Sequence, residues 1–133
     1  MSVRDPMELR RPANASLVNP ALLEASVISQ LDDLAVHPEP YADYRPIFET
    51  SRLNVTHVRI KPGETVPAHT HHDEDQVYYV ASGSGFVELD GKRTEVSAGS
   101  GVLIPLGTEH LITNTGSEPL DYVFFVVFVP ERS

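Results

Sequence analysis

Short apolar stretches recur regularly from residue 47 to the end of the chain, and clusters of glycine, proline, asparagine and aspartate separate them. Stretches of this length, bounded by turn residues, predict β-strands. The strands are expected at residues 52–60, 76–81, 85–89, 94–96, 102–104, 110–114 and 120–129. Many short strands with glycine-rich turns in one small domain predict an all-β sandwich or barrel.

The pattern also predicts one tight hairpin and one central strand. Asp90 and Gly91 lie between two of the apolar stretches, and this pair favours a type I′ turn, which needs positive φ at both central positions. Residues 122–129 are apolar on both faces of a strand, so we expect this strand to be central or covered on both sides. One of its two alternating sets of side chains should complete an apolar interior wall.

Residues 1–46 lack this regular pattern, and we expect them to precede a barrel domain at residues 47–133. Residues 1–18 mix charged residues, prolines and small residues without a sustained period. We interpret them as an extended N-terminal arm.

The rest of the N-terminal region is predicted to form a short helix and a loop. Residues 19–35 favour the helix, since Asn19 can cap it and Pro20 suits its first turn, although residues 26–29 fit a strand equally well. Residues 37–46 carry three prolines and two tyrosines and predict a loop that walls a pocket.

Composition excludes several classes of function. A chain of 133 residues can bury one complete core. Its formal charge of −9 repels phosphate backbones and anionic membranes, so we expect no nucleic-acid or membrane partner. The absence of cysteine excludes disulfides, thiolate metal ligands and a cysteine nucleophile. We see no signal-peptide core and no apolar run long enough to span a bilayer, and we expect a cytoplasmic protein.

Histidines provide the first candidate chemistry. His69, His71 and His72 fall within four residues, and an extended backbone would point the first two to one side and His72 to the other. Two imidazoles on one face can form one edge of a metal site, because neutral nitrogen donors suit Zn, Cu, Fe, Ni and Mn. Solvated surface histidines are the alternative.

The residues around this pair resemble the first signature of the cupin superfamily. That signature reads G, five residues, H, one residue, H, three or four residues, E, six residues, G. The chain has Gly63, His69, His71, Gln76 and Gly83 at these positions. It departs from the family pattern only at Gln76, where glutamate is usual.

A second stretch resembles the second cupin signature at every fixed position. This signature reads G, five residues, PxG, two residues, H, three residues, N. The chain matches it with Gly99, Pro105, Gly107, His110 and Asn114. Two signatures in order, with a predicted hairpin between them, make the resemblance strong.

The resemblance implies a cupin-type double-stranded β-helix over about residues 47–129, a small β-barrel or jelly roll whose mouth holds one metal. It implies that His69, His71 and His110 are three imidazole ligands, with Gln76 at the fourth position. The ion would be one divalent transition metal, Fe, Mn, Ni, Cu or Zn.

The identity of the fourth ligand is open at this point. Gln76 fits the spacing to Gly83, whereas Asp75 leaves seven intervening residues and Glu74 shares a face with Gln76. A site with no fourth protein ligand is the remaining alternative. If Gln76 binds through its amide oxygen, the neutral ligand set leaves the full positive charge on the ion and favours Lewis-acid chemistry.

Three further residues are candidate catalytic groups. Tyr78 shares a face with Gln76, and its hydroxyl could hydrogen-bond a bound oxyanion, although core packing explains it equally well. Glu74 could act as a base next to the metal. His57 lies in the middle of a predicted strand, where it is either an acid–base group lining the barrel or an ordinary surface or core histidine.

We therefore predict a metal-dependent enzyme acting on a small, oxygen-chelating, partly hydrophobic or aromatic organic substrate. The resemblance is compatible with a dioxygenase or with a Lewis-acid cyclase, isomerase or lyase. The alternative is a non-catalytic cupin that binds a small molecule as a sensor or carrier. Small cupins commonly resemble dimers in which an N-terminal strand joins the neighbour's sheet, so we expect a homodimer with residues 1–18 at its interface.

Overall fold

A computed structural model describes residues 28–129 of the chain. The chain divides into two units, residues 1–33 and 34–133. The arm predicted at residues 1–18 and most of the predicted helix lie outside the described residues. The described end of the first unit forms a single 3-10 turn at Leu31–Asp33.

The described part of the second unit is built from ten strands. They are β1 His37–Pro38, β2 Ala42–Glu49, β3 Leu53–Ile60, β4 Thr65–His69, β5 Glu74–Ser82, β6 Ser84–Leu89, β7 Lys92–Ser97, β8 Gly101–Ile104, β9 His110–Asn114 and β10 Leu120–Phe128. No helix in residues 28–129 is long and apolar enough to cross a membrane.

The strands form two antiparallel sheets. One has six strands in the order β1-β2-β3-β10-β5-β8, and the other has four in the order β4-β9-β6-β7. The main buried cluster takes side chains from both sheets, so the sheets pack face to face. Its members are Ala42, Val58, Ile60, Val66, Tyr78, Val80, Val87, Val96, Ile104, Ile112, Leu120 and Tyr122. This architecture confirms the predicted all-β fold.

The last strand is central, as its composition predicts. β10 pairs with β3 on one side and with β5 on the other. Tyr122 and Val126 are buried, whereas Phe125 and Val127 on the opposite face are partly exposed. The set of residues that includes Tyr122 and Val126 therefore forms the predicted interior wall.

The prediction of a loop at residues 37–46 is wrong, because most of this segment lies in the strands β1 and β2. Prolines suggested a loop, since proline cannot donate a hydrogen bond to a sheet. Both strand prolines occupy positions that tolerate this loss. Pro38 lies in the edge strand β1, and the pairing of β2 with β3 shifts its register next to Pro46.

The predicted hairpin is present between β6 and β7. Asp90 and Gly91 have φ values of 50° and 84°, as a type I′ turn requires. Gly85 in β6 permits a close approach of β9, because a Cβ there would lie 1.8 Å from the carbonyl oxygen of Thr113.

Asn114 anchors the end of β9. Its side chain is fully buried, and its Nδ2 donates to the carbonyl oxygens of Ile60 and Glu118 at 3.0 and 2.8 Å. Its Oδ1 accepts a hydrogen bond from the backbone N–H of Gly116. These contacts fix the strand whose first residue is His110.

Candidate metal centre

Sheet pairing brings the two signature segments together. His69 ends β4 and His110 begins β9, and their Cα atoms are register partners. His71 lies in the turn between β4 and β5, where its carbonyl oxygen accepts a hydrogen bond from the N–H of Gly107 at 2.6 Å. Gly107 belongs to the second signature, so a backbone contact between the two signatures holds the third histidine in place.

The three imidazoles form one cluster. Ring centroids are 4.8 Å apart for His69 and His71, 4.5 Å for His69 and His110, and 5.5 Å for His71 and His110. One ligand atom from each residue lies within 4.8 Å of the others. The three histidines therefore lie within metal-binding distance, as the sequence predicts.

Hydrogen bonds leave the Nε2 atoms of these rings for a ligand. Nδ1 of His69 lies 2.7 Å from the carbonyl oxygen of Pro67, and Nδ1 of His110 lies 2.9 Å from that of Thr108. A carbonyl only accepts, so each Nδ1 donates and each neutral ring keeps its lone pair on Nε2. The Nε2 atoms of His71 and His110 are buried, and no group among the described residues forms a hydrogen bond with either atom.

The electrostatics of the cluster suit a cation. Burial lowers the pKa of His110, and this keeps its imidazole in the neutral form that binds metals. Buried nitrogen atoms without partners cost free energy, and a bound ion would remove that cost. The donor set and its unpaired atoms therefore fit a divalent transition metal.

The carboxylate of Glu74 lies close to the cluster, where it contacts His71 and Gln76. Its Oε2 lies 3.5 Å from Nδ1 of His71 and accepts a hydrogen bond from Nε2 of Gln76. A carboxylate cannot donate, so the amide nitrogen of Gln76 must face Glu74, and the amide oxygen is left as its ligating atom. Glu74 thus supplies a negative charge close to the histidines, although the predicted ligand set is neutral.

Asp75, another candidate for the fourth ligand position, lies on the face of β5 opposite to Glu74 and Gln76. The Oδ1 of Asp75 accepts a hydrogen bond from the backbone N–H of Leu106 at 2.9 Å. Asp75 therefore holds the turn that precedes His110 and is not part of the histidine cluster. Gln76, which is buried, lines the same cavity as His69 and His71.

This cavity has a volume of about 240 Å³ and combines a polar end with an aromatic wall. Its lining residues are Tyr44, Asn54, Val66, His69, His71, Glu74, Gln76, Tyr78, Tyr122, Phe124 and Val126. The rings of Tyr78 and Tyr122 are 4.6 Å apart, and that of Phe124 lies 6.1 Å from Tyr78. Tyr44 lines the cavity from β2, which agrees with the expectation that residues 37–46 wall a pocket.

Tyr78 occupies the position that the sequence predicts. Its ring centroid lies 6.1 Å from that of His110, and its side chain is buried. Burial raises the pKa of Tyr78, so its hydroxyl stays protonated at neutral pH and can donate a hydrogen bond. The catalytic roles of Tyr78 and Glu74 stay predictions.

The structure does not bring His57 to this cluster. Val58 points into the core, and the strand alternation therefore directs His57 to the opposite face of the sheet. There its Nε2 lies 3.4 Å from Oδ2 of Asp121. The two carboxylate oxygens of Asp121 each accept one hydrogen bond from Arg59. Burial lowers the pKa of His57, although the carboxylate of Asp121 opposes this shift.

Asn54 and Val66 line the cavity, and sequence reasoning did not single them out. Asn54 could have been found from strand parity, because it lies two and four residues before Thr56 and Val58, which are both buried. His72 is exposed, as predicted from its direction opposite to the pair.

Comparisons with known proteins agree with the fold and the cluster. A family model described as Cupin domain matches residues 56–128, more than half of the chain. Over 84 residues the chain is 32% identical to a mannose-1-phosphate guanylyltransferase of Escherichia coli, and the match covers 59% of this chain. The chain spans only 18% of the length of that relative.

A sequence match and a structural match to Thermotoga maritima are also found. The chain is 29% identical over 72 residues to an oxalate-binding protein, a match that covers 54% of this chain and 60% of that protein. The crystal structure of a predicted oxalate decarboxylase superposes with a TM-score of 0.73 at 18% identity, covering 77% of this chain and 99% of that one. The second likeness concerns the fold alone. With two paired signatures, a jelly-roll fold and a family match over residues 56–128, the chain belongs to the cupin family.

Proposed function

We propose that this protein is a metal-dependent enzyme acting on a small organic substrate that chelates the metal through oxygen atoms. The observation that carries the proposal is the pair of buried Nε2 atoms of His71 and His110, which have no hydrogen-bond partner in the described part of the chain. They belong to a cluster in which His69 and His71 line a cavity with an aromatic wall.

Four residues would hold the ion. His69, His71 and His110 provide imidazole nitrogens, and Gln76 provides its amide oxygen. A bound divalent metal supplies Lewis-acid polarisation of a coordinated oxygen, or redox chemistry if it is Fe, Mn, Ni or Cu. The first option supports a cyclase, isomerase or lyase, and the second supports a dioxygenase. Three or four protein ligands leave room for substrate, as catalytic sites require.

The cavity supports a substrate with an apolar or aromatic body. Its volume of about 240 Å³ is below the usual range for drug-sized ligands, so the substrate is small. Tyr78, Tyr122 and Phe124 offer ring surfaces against which a flat molecule can pack. Neither lysine nor arginine occurs among the lining residues that the structure describes, and Glu74 adds a negative charge. This lining disfavours a small dianion.

Two side chains can act next to the bound substrate, Tyr78 as a hydrogen-bond donor and Glu74 as a group that orients its neighbours. The Tyr78 hydroxyl, kept protonated by burial, can donate to a negatively charged substrate oxygen. Glu74 already accepts a hydrogen bond from Gln76, so its first role is to orient Gln76 and His71.

The second candidate is a non-catalytic protein that binds a small molecule. One similar protein is named an oxalate-binding protein, and oxalate is a small chelating dianion. The two candidates differ in ligand chemistry and in turnover, so one set of ligands can separate them.

The test compares three chelators on protein loaded with Fe²⁺ or Zn²⁺. Benzoylacetone carries a phenyl group that acetylacetone lacks, and oxalate has no apolar body. We expect benzoylacetone to bind about tenfold more tightly than acetylacetone, because the phenyl group is buried against the aromatic wall. Mass spectrometry should detect a product with the loaded wild type and none with His69→Ala. Tightest binding of oxalate without any product would instead support the binding protein.

We also propose that the protein is a homodimer. The outer face of the six-stranded sheet carries a patch of exposed apolar side chains, here called the outer patch: Val77, Tyr79, Leu103, Phe125 and Val127. Val77 is the register partner of both Leu103 and Phe125, so the patch is continuous across three strands. A continuous apolar face suits a two-fold interface with a second copy. The cytoplasmic location expected from the sequence stays a prediction.

Light scattering tests the dimer. The wild type should have twice the mass of one chain, and the double variant Leu103→Lys/Val127→Lys should be monomeric, because charges on both sides of the outer patch must be desolvated in the interface. Ala98→Lys, in an exposed turn, is the control and should remain dimeric. A monomeric wild type, or a dimeric double variant, would contradict the proposal.

A further inference from the structure

Asn54 lies in the same cavity as the histidine cluster, two strands away from the fourth ligand position. Asn54 in β3 is the register partner of Val126 in β10, and Val126 is the register partner of Gln76 in β5. All three residues line the cavity. Neighbouring strands lie about 4.8 Å apart, so the backbones of Asn54 and Gln76 are about 10 Å apart. The cavity therefore has a second polar position beyond an apolar one.

The side chain of Asn54 lacks the hydrogen bond that burial normally demands. Its Oδ1 atom is buried and has no hydrogen-bond partner within residues 28–129, which the structure describes. Among the lining residues that the structure describes, only His71 has another such atom. The proposed metal site explains the unpaired nitrogen of His71, whereas no contact among the residues that the structure describes explains the unpaired oxygen of Asn54. A buried polar group in this condition destabilises the fold unless a ligand pairs with it.

We propose that Asn54 is a specificity-determining residue that accepts a hydrogen bond from a hydroxyl group of the substrate. This inference rests on the proposed function, because it assumes a chelating ligand at the histidine end. The substrate class is then a flat chelator whose hydroxyl lies on the side opposite its metal-binding oxygens. An ether or a carbonyl at that position cannot satisfy Oδ1, because neither group donates.

The surrounding residues support a neutral hydroxyl. Val126 separates Asn54 from Gln76, and the aromatic rings of Tyr122 and Phe124 complete the wall, so the body of the ligand lies against apolar surface. The amide of Asn54 is uncharged, so its hydrogen-bond partner does not need to be an ion. A hydroxyl can also accept a hydrogen bond from the Nδ2 of Asn54, so a single group satisfies both ends of the amide.

The test uses two probes that differ in a single group. Kojic acid and allomaltol share the same hydroxypyranone chelating head, and kojic acid carries a hydroxymethyl group where allomaltol has a methyl group. Isothermal titration calorimetry measures both on zinc-loaded wild type and on zinc-loaded Asn54→Leu. We expect wild type to bind kojic acid about tenfold more tightly than allomaltol, as one additional hydrogen bond to a buried acceptor provides. Asn54→Leu should lose this preference and keep its affinity for allomaltol.

Thermal unfolding separates this role from a structural one. Leucine has a similar size and no polar atom, so Asn54→Leu should raise the unfolding midpoint of the ligand-free protein or leave it unchanged. A structural role predicts a lower midpoint, and that result would count against the proposal.

The remaining outcomes are equally decisive. Equal affinity of wild type for the two probes, or an unchanged preference in Asn54→Leu, would overturn the role of Asn54 and leave the metal site standing. A separate titration with each metal ion alone tests the underlying assumption. If the wild type binds neither zinc nor, in the same titration, Fe, Mn, Ni or Cu, the proposed function and this inference are overturned together.

Discussion

Replacing His69 by alanine should lower the affinity of the protein for Zn²⁺ or Fe²⁺ by roughly 100-fold or more. Loss of a residue that only hydrogen-bonds a metal ligand already lowers metal affinity by about 10–100-fold, and loss of a ligand itself should cost at least as much. His69 ends β4 and is exposed, so its removal opens no cavity in the core. The fold should survive, with a free energy of unfolding within about 1 kcal/mol of wild type. Calorimetric titration of metal measures the affinity.

A neighbouring histidine provides the matched control. His72 lies in the same turn region and is exposed, but it is not part of the cluster. His72→Ala should bind metal as the wild type does, and adding metal should raise its unfolding midpoint. His69→Ala should show no such rise. Equal affinity in His69→Ala and wild type would show that the cluster is not the binding site.

Replacing Gln76 by glutamate should raise the affinity for the metal about tenfold or more, because a charged oxygen replaces a neutral one at the fourth position. The same change should destabilise the metal-free protein. Gln76 now donates a hydrogen bond to Glu74, and glutamate would set two carboxylates against each other in a buried site. Metal titration and unfolding with and without metal measure the two effects.

Two further variants show whether the change in metal affinity depends on the oxygen atom at position 76. Gln76→Leu removes the amide oxygen at similar size and should bind metal more weakly than wild type. Gln30→Glu adds the same charge at an exposed residue outside the cavity lining and should leave the affinity unchanged. If Gln76→Glu and Gln76→Leu both bind metal as wild type does, position 76 is not a ligand.

The resemblance of two segments to the cupin signatures was enough to predict the cluster. His69 and His110 are 41 positions apart in the printed sequence, but the pairing of β4 with β9 makes them register partners. Local alternation along β5 also placed Tyr78 and Gln76 correctly on the cavity side. Predictions of this kind depend on strand periodicity and on the signatures, and both are visible in the sequence.

Other features depend on contacts that spacing does not reveal. The strand alternation does not indicate which face of β3 is internal, so His57 was a reasonable candidate until Val58 was found in the core. The prolines of residues 37–46 predicted a loop, because the register shift next to Pro46 cannot be read from composition. That the oxygen of Asn54 is unpaired among the described residues becomes apparent only from the three-dimensional structure.

Glu74 shows the same limit within the site. Parity places its side chain on the face of Gln76, and both residues line the cavity. Parity does not show that its carboxylate accepts the hydrogen bond of Gln76 and lies 3.5 Å from His71. This contact changes the electrostatics, because a negative charge lies close to a ligand set that sequence reasoning treats as neutral.

Elemental analysis of protein purified without a histidine tag tests the central claim most directly. We expect close to one equivalent of Fe, Mn, Ni, Cu or Zn per chain, retained on dialysis and lost in His69→Ala. The element found would then decide whether oxygen consumption or cyclase, isomerase and lyase assays come first. A wild-type protein that holds no metal, and takes up none after incubation with each ion, would contradict the account.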